Sequence, residues 1–328
     1  LRGAPRRPFV RRQNKYSRLQ EKSKRSAGRH KKFSPHGDCV DKRTQTEYNA
    51  RKFSKCEVTS MRVLAVNDIS CVGKCSLTVA LPVLSACGVT CDILPTALLS
   101  THTGGFTGYT FLSLDGEMQK IADHWETLGL KYDLIYSGYL GSRAQIAFVR
   151  DIKRRFLKEG GTFVVDPVLG DNFTFYKGFD DAFAKEMLGL CAEADYILPN
   201  ETESYLLTGT RDFSAALGQL AKVCPHPVIT GAKSADGYDI YYYDGGEKKM
   251  PIPRVEGSFH GAGDVFASAF CGCLMRGLAV ERALALTAQF CYRAILRTQK
   301  EVTDRKYGLN YEREIFPFLQ SLEAEATD

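Results

Sequence analysis

The sequence predicts an α/β fold, in which a mostly parallel sheet carries helices on both faces. Short apolar runs rich in β-branched residues recur from residue 62 onward, and longer segments of helical composition separate them. Such an alternation implies right-handed strand–helix–strand units, whose helices cover both faces of a parallel sheet. Polar and glycine residues also follow several of these strands, at the edge where ligands bind in open α/β sheets.

The expected elements begin directly after Met61, the first methionine of the chain. The predicted strands are residues 62–66, 89–94, 133–137, 162–166, 195–199 and 227–231, with a hairpin around a Gly-Gly turn over 238–253. The predicted helices are residues 76–88, 117–129, 144–161, 181–194 and 201–209, and two or three more complete the chain. Pro82 should kink the first helix or mark its boundary.

Composition limits the class of protein. The chain has 328 residues, of which 44% are hydrophobic and 25% charged, and these values are typical of a soluble globular protein. We find no apolar run that approaches the roughly 20 residues of a membrane helix, and no signal peptide. We therefore expect a cytoplasmic enzyme without a membrane partner.

The positive net charge belongs to the N-terminal segment. Residues 1–60 contain 18 basic and 5 acidic residues, whereas the remainder contains 26 and 33. The segment has the composition of a disordered extension. It fits a basic nucleic-acid-binding tail, an organelle transit peptide or sequence upstream of the true start, and the position of Met61 favours the third. Residues 61–328 then form a single domain, whose acidic balance gives no reason to expect nucleic acid as a partner.

The eleven cysteines do not form a metal-binding pattern. C-x-x-C does not occur in the sequence, so we do not expect a structural zinc site. Several cysteines lie in apolar segments and are expected to be small core residues. We interpret them as reduced thiols in a reducing compartment.

One stretch combines an anion site with a carboxylate. In HGAGDVFASAFCGCL, residues 260–274, two glycines precede Asp264, and the apolar run that follows has helical spacing. Free backbone N–H groups at a helix start favour an anion, and glycines let a phosphate approach the backbone closely. Asp264 is therefore a candidate base beside a phosphate site. The alternative is an ordinary loop-to-helix junction in which Asp264 only complements the helix dipole.

Other polar residues follow further strands and should meet at the same edge of the sheet. Asp166 ends a buried-looking strand before Pro167, and a carboxylate there suits a hydrated Mg²⁺, with Asp171 as a second candidate. Asn200 and Glu203 lie three residues apart on one face of a short helix, within reach of a metal–phosphate group through water. The alternatives are a turn cap for Asp166 and a helix cap for Asn200.

Two common nucleotide-binding motifs are excluded. VGKCS at residues 72–76 lacks the first glycine and the hydroxyl residue of a Walker A motif, since Asp68 and Cys75 stand there. No G-x-G-x-x-G opens a helix after a strand, so the NAD-binding fingerprint is missing. The loop STHTGG, residues 100–105, can instead hydrogen-bond a small polar ring, and His102 in it is either a ligand contact or a structural hydrogen-bonding group.

Seven segments stand out by their order and spacing: VLAVNDISCVGKCS, LPTALLSTHT, YSGYLGS, VVDPVLGD, PNETE, VITG and HGAGDVFAS. Together they resemble the pyridoxal kinase family of the ribokinase-like superfamily, and the resemblance runs from about Met61 to about Leu296. It implies a three-layer α/β/α sandwich and ATP-dependent phosphorylation of the 5′-hydroxymethyl group of a vitamin B6 vitamer, with Mg²⁺, a monovalent cation and a homodimer as further expectations.

The resemblance also implies roles for individual residues. Asp264 would take the proton of the hydroxyl, and the amides of Gly261, Ala262 and Gly263 would form the anion hole. Asp166 and Glu203 would act through Mg²⁺. The ATP phosphates would be lined by Asn200, Thr230 and Gly231, and the pyridine ring would be held by Thr103, Tyr139, His102 and Asp68.

The sequence departs from the family pattern at two positions. Many pyridoxal kinases have a serine where this chain has Asp68, and a carboxylate there could pair with a protonated ring nitrogen or with the amine of pyridoxamine. Ala262 replaces a frequent threonine. One alternative is a hydroxymethylpyrimidine kinase of thiamin synthesis. The other is a non-catalytic ligand-binding protein on the same fold, and the presence of Asp264, Asp166 and Glu203 disfavours this second alternative.

Overall fold

A sheet of nine strands forms the centre of the computed structural model, which describes residues 61–253, 255, 257–301 and 304–325. The expectations for residues 1–60 lie outside these ranges and stay predictions. The strand order is β11-β10-β9-β8-β5-β4-β1-β2-β3. The strands are β1 Arg62–Ser70, β2 Thr90–Leu99, β3 Phe111–Ser113, β4 Tyr132–Ser137, β5 Leu157–Val165, β8 Tyr196–Ile197, β9 His226–Lys233, β10 Gly237–Tyr243 and β11 Glu247–Pro253.

The six strands from β9 to β2 pair in parallel, whereas β3, β10 and β11 pair antiparallel at the two edges. A second, two-stranded sheet consists of β6 Gly170–Asp171 and β7 Thr174–Phe175. The predicted mostly parallel sheet is therefore confirmed, including the hairpin formed by β10 and β11.

Nine α-helices flank the sheet within the described residues. Residues of one strand alternate between two apolar clusters: Val63 and Ala65 pack with the helices of one face, and Leu64 and Val66 with those of the other. The expected three-layer sandwich is thus confirmed. The helices are α1 Leu77–Ala86, α2 Asp115–Thr127, α3 Arg143–Phe156, α4 Asp181–Cys191, α5 Glu201–Thr208, α6 Phe213–Leu220, α7 Ala262–Met275, α8 Val280–Lys300 and α9 Ile315–Glu325.

Each face has its own set of helices. The first cluster joins residues of α1, α7, α8 and α9, and the second joins residues of α2, α3, α4 and α6. Within the described part of the chain, we find no helix with the length and apolar character needed to cross a membrane.

The structure corrects several element boundaries. The helix expected over 144–161 ends at Phe156, because residues 157–161 already belong to β5, with Gly160 at a φ of 70°. Strand β2 continues past residue 94 through Pro95, and Pro82 lies inside α1 without ending it. Strand β3, the small β6–β7 hairpin and helix α6 were not expected from the sequence pattern.

Candidate active site

The start of α7 carries the glycine-rich segment. Gly261 is the N-cap residue and has a φ of 77°, a conformation that favours glycine. A Cβ at this position would collide with the carbonyl oxygen of Lys74, so the missing side chain also lets the loop after β1 approach the helix. The Ala262 amide makes only a long hydrogen bond of 3.4 Å to the Phe259 carbonyl. The N–H groups of this first turn are therefore placed to receive an anion.

Asp264 lies in the first turn of α7 and is half-buried. The Asn67 side chain donates a hydrogen bond of 3.3 Å from Nδ2 to Asp264 Oδ1. Desolvation is the main reason why the pKa of Asp264 rises to about 6, and the charge of Asp68 adds to it, while the Ser76 backbone amide and Asn67 oppose it. A carboxyl group with this pKa is mostly ionised at neutral pH and still basic enough to accept a proton.

Asp166 directly follows β5 and lies close to the start of α7. Its backbone amide donates to the Ser137 carbonyl at 2.8 Å. A Cβ on Gly263 would lie 4.0 Å from Asp166 Oδ2, so this carboxylate faces the glycine-rich turn. Burial raises the pKa of Asp166 well above its usual range, and the negative charges of Glu203 and Asp264 raise it further.

Asn200 and Glu203 form a capping box at the start of α5. Asn200 Oδ1 accepts from the Thr202 and Glu203 amides, at 2.8 and 2.9 Å, and Glu203 Oε2 accepts from the Asn200 amide at 2.8 Å. Glu203 Oε1 accepts from the Leu169 amide at 3.2 Å. The helix-cap interpretation of Asn200 is thus correct, and the cap holds the buried Glu203 carboxylate at the site.

Desolvation is also the main cause of the high pKa of Glu203, which is raised to about 8 although two backbone amides lower it. The charges of Asp171 and Asp264 raise this pKa as well. The charge of Asp264 therefore raises the proton affinity of both Asp166 and Glu203, and the charge of Glu203 raises that of Asp166. Such a cluster favours a bound cation, which would relieve the repulsion between the ionised groups.

The carboxylates fit Mg²⁺ better than a metal held by protein ligands alone. Among the described residues no group of three His, Cys, Asp or Glu side chains has the geometry of a metal cage. Mg²⁺ commonly takes one or two protein carboxylates and completes its shell with phosphate oxygens and water. Asp171 is exposed in the β6–β7 hairpin, where its Oδ1 accepts from the Asn172 amide at 2.8 Å, so it lies at the rim of the cluster.

Thr230 and Gly231 lie in β9, next to the start of α5. Asn200 and Thr230 form an isolated parallel bridge, and the Thr230 amide donates to the Pro199 carbonyl at 2.9 Å. Gly231 is exposed and has a φ of 66°, in the left-handed region. The structure therefore brings these two residues beside Asn200 and Glu203, as the sequence predicts.

Asp68, on the opposite side of the site, is buried among hydroxyl groups. Its two oxygens accept from Ser76 Oγ at 2.5 Å and from Ser70 Oγ at 3.0 Å. Burial raises the pKa of Asp68, and these hydrogen bonds lower it in part. Asp68 thus stabilises the loop that connects β1 to α1 through these hydrogen bonds. Its expected contact with a substrate ring stays a prediction.

Tyr139 follows β4 and presents its ring near Asp68. The ring stacks on Phe179, with centroids 6.0 Å apart and an angle of 27° between the planes. Burial, with the charges of Asp68 and Tyr109 as smaller causes, raises the pKa of the Tyr139 hydroxyl to about 12. A neutral phenol on an aromatic stack can hold a planar ring and still donate a hydrogen bond.

His102 is a buried structural group with a defined tautomer. Its Nδ1 accepts from the Gly104 amide at 3.1 Å, so Nε2 carries the proton and donates to the Lys306 carbonyl at 2.5 Å. Burial lowers the pKa of the imidazole, and the neighbouring His260 lowers it further. Of the two interpretations of His102, the structure favours the structural one, whereas Thr103 is exposed on the same loop.

Residues 304–312, which we call the C-terminal strap, contact three loops around the site. These are the loop after β1, the loop 100–110 and the loop before α7. The contacts are the Lys74 amide with the Tyr307 carbonyl at 3.0 Å, Lys74 Nζ with Asn310 Oδ1 at 2.9 Å, His102 Nε2 with the Lys306 carbonyl, and the Arg305 guanidinium over the Phe259 ring at 4.8 Å.

The sequence pattern placed Asn67 and Gly138 only among the polar and glycine residues that follow strands, without a role in the site, and it did not identify Ser76. Asn67 and Ser76 hydrogen-bond the Asp264 carboxylate, and Gly138 leaves room for the Asn67 side chain. Asn67 was visible only as a polar residue after the first predicted strand. Its partner is 197 residues away in the chain, so no local pattern reveals the contact.

Fold and site together define the class of this protein: a kinase of small molecules with the ribokinase-like fold. The sequence profile of the family described as phosphomethylpyrimidine kinase matches residues 80–309. A solved protein of Bacteroides thetaiotaomicron with the same description is 35% identical, with a TM-score of 0.76 over 79% of this chain and 94% of that chain.

Further similar proteins are pyridoxal kinases. The enzyme from Lactobacillus plantarum is 33% identical, with a TM-score of 0.75 over 80% of this chain and 98% of that chain. Human pyridoxal kinase is 25% identical over 65% of this chain and 76% of its own length. The chain belongs to the phosphomethylpyrimidine kinase family, and within it to the group that contains the pyridoxal kinases.

Proposed function

We propose that the protein transfers the γ-phosphoryl group of ATP to the 5′-hydroxymethyl group of a vitamin B6 vitamer: pyridoxal, pyridoxamine or pyridoxine. One observation carries this proposal: Asp264, with a pKa raised to about 6, lies at the glycine-rich start of α7 and faces the buried carboxylates of Asp166 and Glu203. This arrangement supplies a base, an anion hole and a place for a cation within one site.

Asp264 accepts the proton of the attacking hydroxyl group as the new O–P bond forms and the bond to ADP breaks. The amides of Gly261, Ala262 and Gly263 stabilise the charge on the transferring phosphoryl oxygens. Phosphoryl transfer depends mainly on positioning and on charge stabilisation, so an aligned carboxylate and a helix start are chemically sufficient.

The ATP phosphates lie along the edge formed by Asn200, Thr230 and Gly231. Asp166 and Glu203 would hold Mg²⁺ through water, with Asp171 at the rim, and a bound ion would supply positive charge beside the phosphates. On the other side, Tyr139 and Thr103 hold the pyridine ring, and His102 fixes the loop that carries Thr103. Asp68 pairs with a protonated ring nitrogen or with the amine of pyridoxamine. A monovalent cation beside the phosphates would complete the site, and replacing K⁺ by Na⁺ in the assay tests it.

Names of related proteins support the vitamer as the substrate. The relatives described above include pyridoxal kinases, and one solved form of the Bacteroides thetaiotaomicron protein contains pyridoxal. The family description supports a second candidate, the hydroxymethylpyrimidine of thiamin synthesis. Both substrates are planar nitrogen heterocycles with a hydroxymethyl group, so the chemistry at Asp264 is the same for both.

Steady-state kinetics with four alcohols separate the candidates. We expect kcat/KM for at least one of pyridoxal, pyridoxamine and pyridoxine to exceed that for hydroxymethylpyrimidine by more than tenfold. A higher value for the pyrimidine than for all three vitamers would contradict the proposal. Vitamer binding without ADP release would indicate a non-catalytic ligand-binding protein.

We also propose that the protein is a cytoplasmic homodimer. All nine cysteines in the described ranges are free, which suits a reducing compartment. Strand β3 is an edge strand whose Phe111 and Leu112 are 46% and 57% exposed, and two antiparallel copies of such an edge can pair about a two-fold axis. Light scattering should give twice the chain mass, and Leu112→Lys should shift it towards the monomer.

A further inference from the structure

Asn67 joins three parts of the proposed kinase site, and an inference about it rests on that proposed function. The residue is 1% exposed and lies in β1, where the register with the neighbouring strand β2 shifts. Its side chain contacts the Asp68 amide, the Tyr139 amide and the Asp264 carboxylate. Asp68 lies on the side of the site where the pyridine ring is expected, Tyr139 follows β4, and Asp264 lies at the start of α7.

The contacts fix which way the Asn67 amide points. Oδ1 lies 3.0 Å from the Asp68 nitrogen and 2.8 Å from the Tyr139 nitrogen. Both nitrogens are backbone donors, so the atom that faces them must be the acceptor. The NH₂ group is therefore the end that faces Asp264, where Nδ2 lies 3.3 Å from Oδ1.

Gly138 provides the space for this arrangement. A Cβ at Gly138 would collide with the Asn67 NH₂ group, and the nearest atoms that it would meet all belong to the Asn67 side chain. The Gly138 amide donates to the Val66 carbonyl at 2.8 Å, which holds β4 close to β1 at this point. The Asn67 side chain can therefore occupy this position only because residue 138 is a glycine.

We propose that Asn67 is a positioning residue, which orients the Asp264 carboxylate towards the substrate hydroxyl and keeps it in register with the ring held beside Tyr139. The Ser76 amide also contacts Asp264, but a single donor leaves a carboxylate free to rotate about its side-chain bonds. A second donor on a buried amide, whose oxygen is held by two backbone N–H groups, removes that freedom. Because the side-chain amide of Asn67 also holds the Tyr139 backbone, the position of the Asp264 carboxylate is tied to the position of the Tyr139 ring.

A double-mutant cycle tests this role. Asn67→Leu keeps the volume and removes the donor, and we expect kcat to fall about 10- to 100-fold, since a small misplacement of a reacting group can cost about 100-fold. The KM for ATP should change less than about threefold, because the contacts on the phosphate side remain, whereas the KM for the alcohol should rise, because the Tyr139 amide loses its acceptor. In the Asp264→Asn background, Asn67→Leu should lower kcat less than about twofold, since the group on which it acts is gone.

An equal loss of kcat in both backgrounds would overturn the proposal, and so would a loss confined to KM. Thr96→Val is the matched control: Thr96 is also buried, and its hydroxyl donates to the Tyr139 carbonyl at 2.9 Å without contacting Asp264. It should lower thermal stability as Asn67→Leu does and leave kcat within about threefold of the parent.

A second variant covers the case that Asn67→Leu does not fold. Gly138→Ala leaves Asn67 in the chain and only displaces its amide, so we expect the same loss of kcat with the KM for ATP preserved. Unchanged kcat in a folded Gly138→Ala protein would contradict the proposal.

The assay separates this inference from the proposed function. Every variant is measured with one substrate. This substrate is whichever of the four alcohols, the three vitamers or hydroxymethylpyrimidine, gives the highest kcat/KM with the parent protein. If the pyrimidine is best, the vitamer assignment is wrong, while the cycle still decides whether Asn67 acts through Asp264.

Discussion

At the scale of single residues, burial sets the chemistry of this site. Asp264, Asp166 and Glu203 all have raised pKa values, with desolvation as the first cause in each case. Asp264 alone among them lies at the glycine-rich turn of α7, where a transferring phosphoryl group would be held. In the proposed function, the same kind of side chain is therefore a base at one position and part of a cation site at two others.

Replacing Asp264 by asparagine tests the base directly. We expect Asp264→Asn to lower kcat by about 100- to 10,000-fold, the usual contribution of a general base, while the KM for ATP stays near the parent value. Steady-state kinetics at saturating vitamer measure both. Turnover within a few fold of the parent would refute the role of Asp264.

The raised pKa of Asp264 also predicts an acid limb in the pH profile. A base must be deprotonated to act, so kcat/KM should fall as the pH decreases through about 6 and level off above it. In a folded Asp264→Asn protein this limb should disappear. A parent profile that is flat between pH 5 and pH 8 would contradict the assignment.

Asp68 is the residue on which vitamer choice is expected to depend. Its carboxylate lies beside Tyr139 and raises the pKa of that hydroxyl. We expect Asp68→Ser to change the ratio of kcat/KM for pyridoxamine and pyridoxal more than it changes the KM for ATP. If the ratio stays the same, Asp68 does not face the ring and acts only on Ser70 and Ser76.

At the scale of elements, the sequence was sufficient for the strands and helices with clear periodicity. The helix start before Asp264 and the cap at Asn200 were correct, because capping residues and glycines act locally. The switch from helix to strand at residue 157 was missed, since it depends on the pairing of Leu157 with Tyr132 of β4 and on the register shift that follows. Contacts such as that of Asn67 with Asp264 depend on how distant elements pack, which periodicity does not contain.

The contact of His102 with the C-terminal strap belongs to this scale. His102→Leu leaves the Lys306 carbonyl and the Gly104 amide without their partner, so we expect a loss of about 1–3 kcal/mol in unfolding free energy. The KM for the vitamer should rise, because the loop that carries Thr103 is released, and the KM for ATP should not. Denaturation and kinetics measure the two effects.

His226→Leu is the matched control, because its Nδ1 lies 3.4 Å from the Tyr243 carbonyl in the neighbouring strand β10, away from the C-terminal strap. It should leave both KM values unchanged. An unchanged vitamer KM in His102→Leu would mean that the strap does not hold this loop in place.

At the scale of the whole molecule, the buried carboxyl groups link stability to pH. The pKa of Glu203 rises from an ordinary 4.5 to about 8 in the folded protein, so the native state retains a proton that the unfolded chain has lost. The resulting stabilisation is complete below pH 4.5 and is lost as the pH rises through 8.

We therefore expect the Tm of the ligand-free protein to fall between pH 5 and pH 8, and less so in Glu203→Gln. Mg²⁺ with ATP should raise the Tm more at pH 8 than at pH 5, because the cation binds the ionised carboxylates. Calorimetry at both pH values checks this. A larger ligand effect at pH 5 would contradict the cation site at Asp166 and Glu203.

The C-terminal strap has a consequence for the order in which the protein acquires activity during synthesis. The sheet strands, the proposed base and the proposed anion hole all precede residue 276, so they leave the ribosome before the strap does. The three loops that the strap holds gain their partners only when residues 304–312 have also emerged. A nascent chain that already contains every sheet strand therefore still lacks the contacts that hold the loops around its active site.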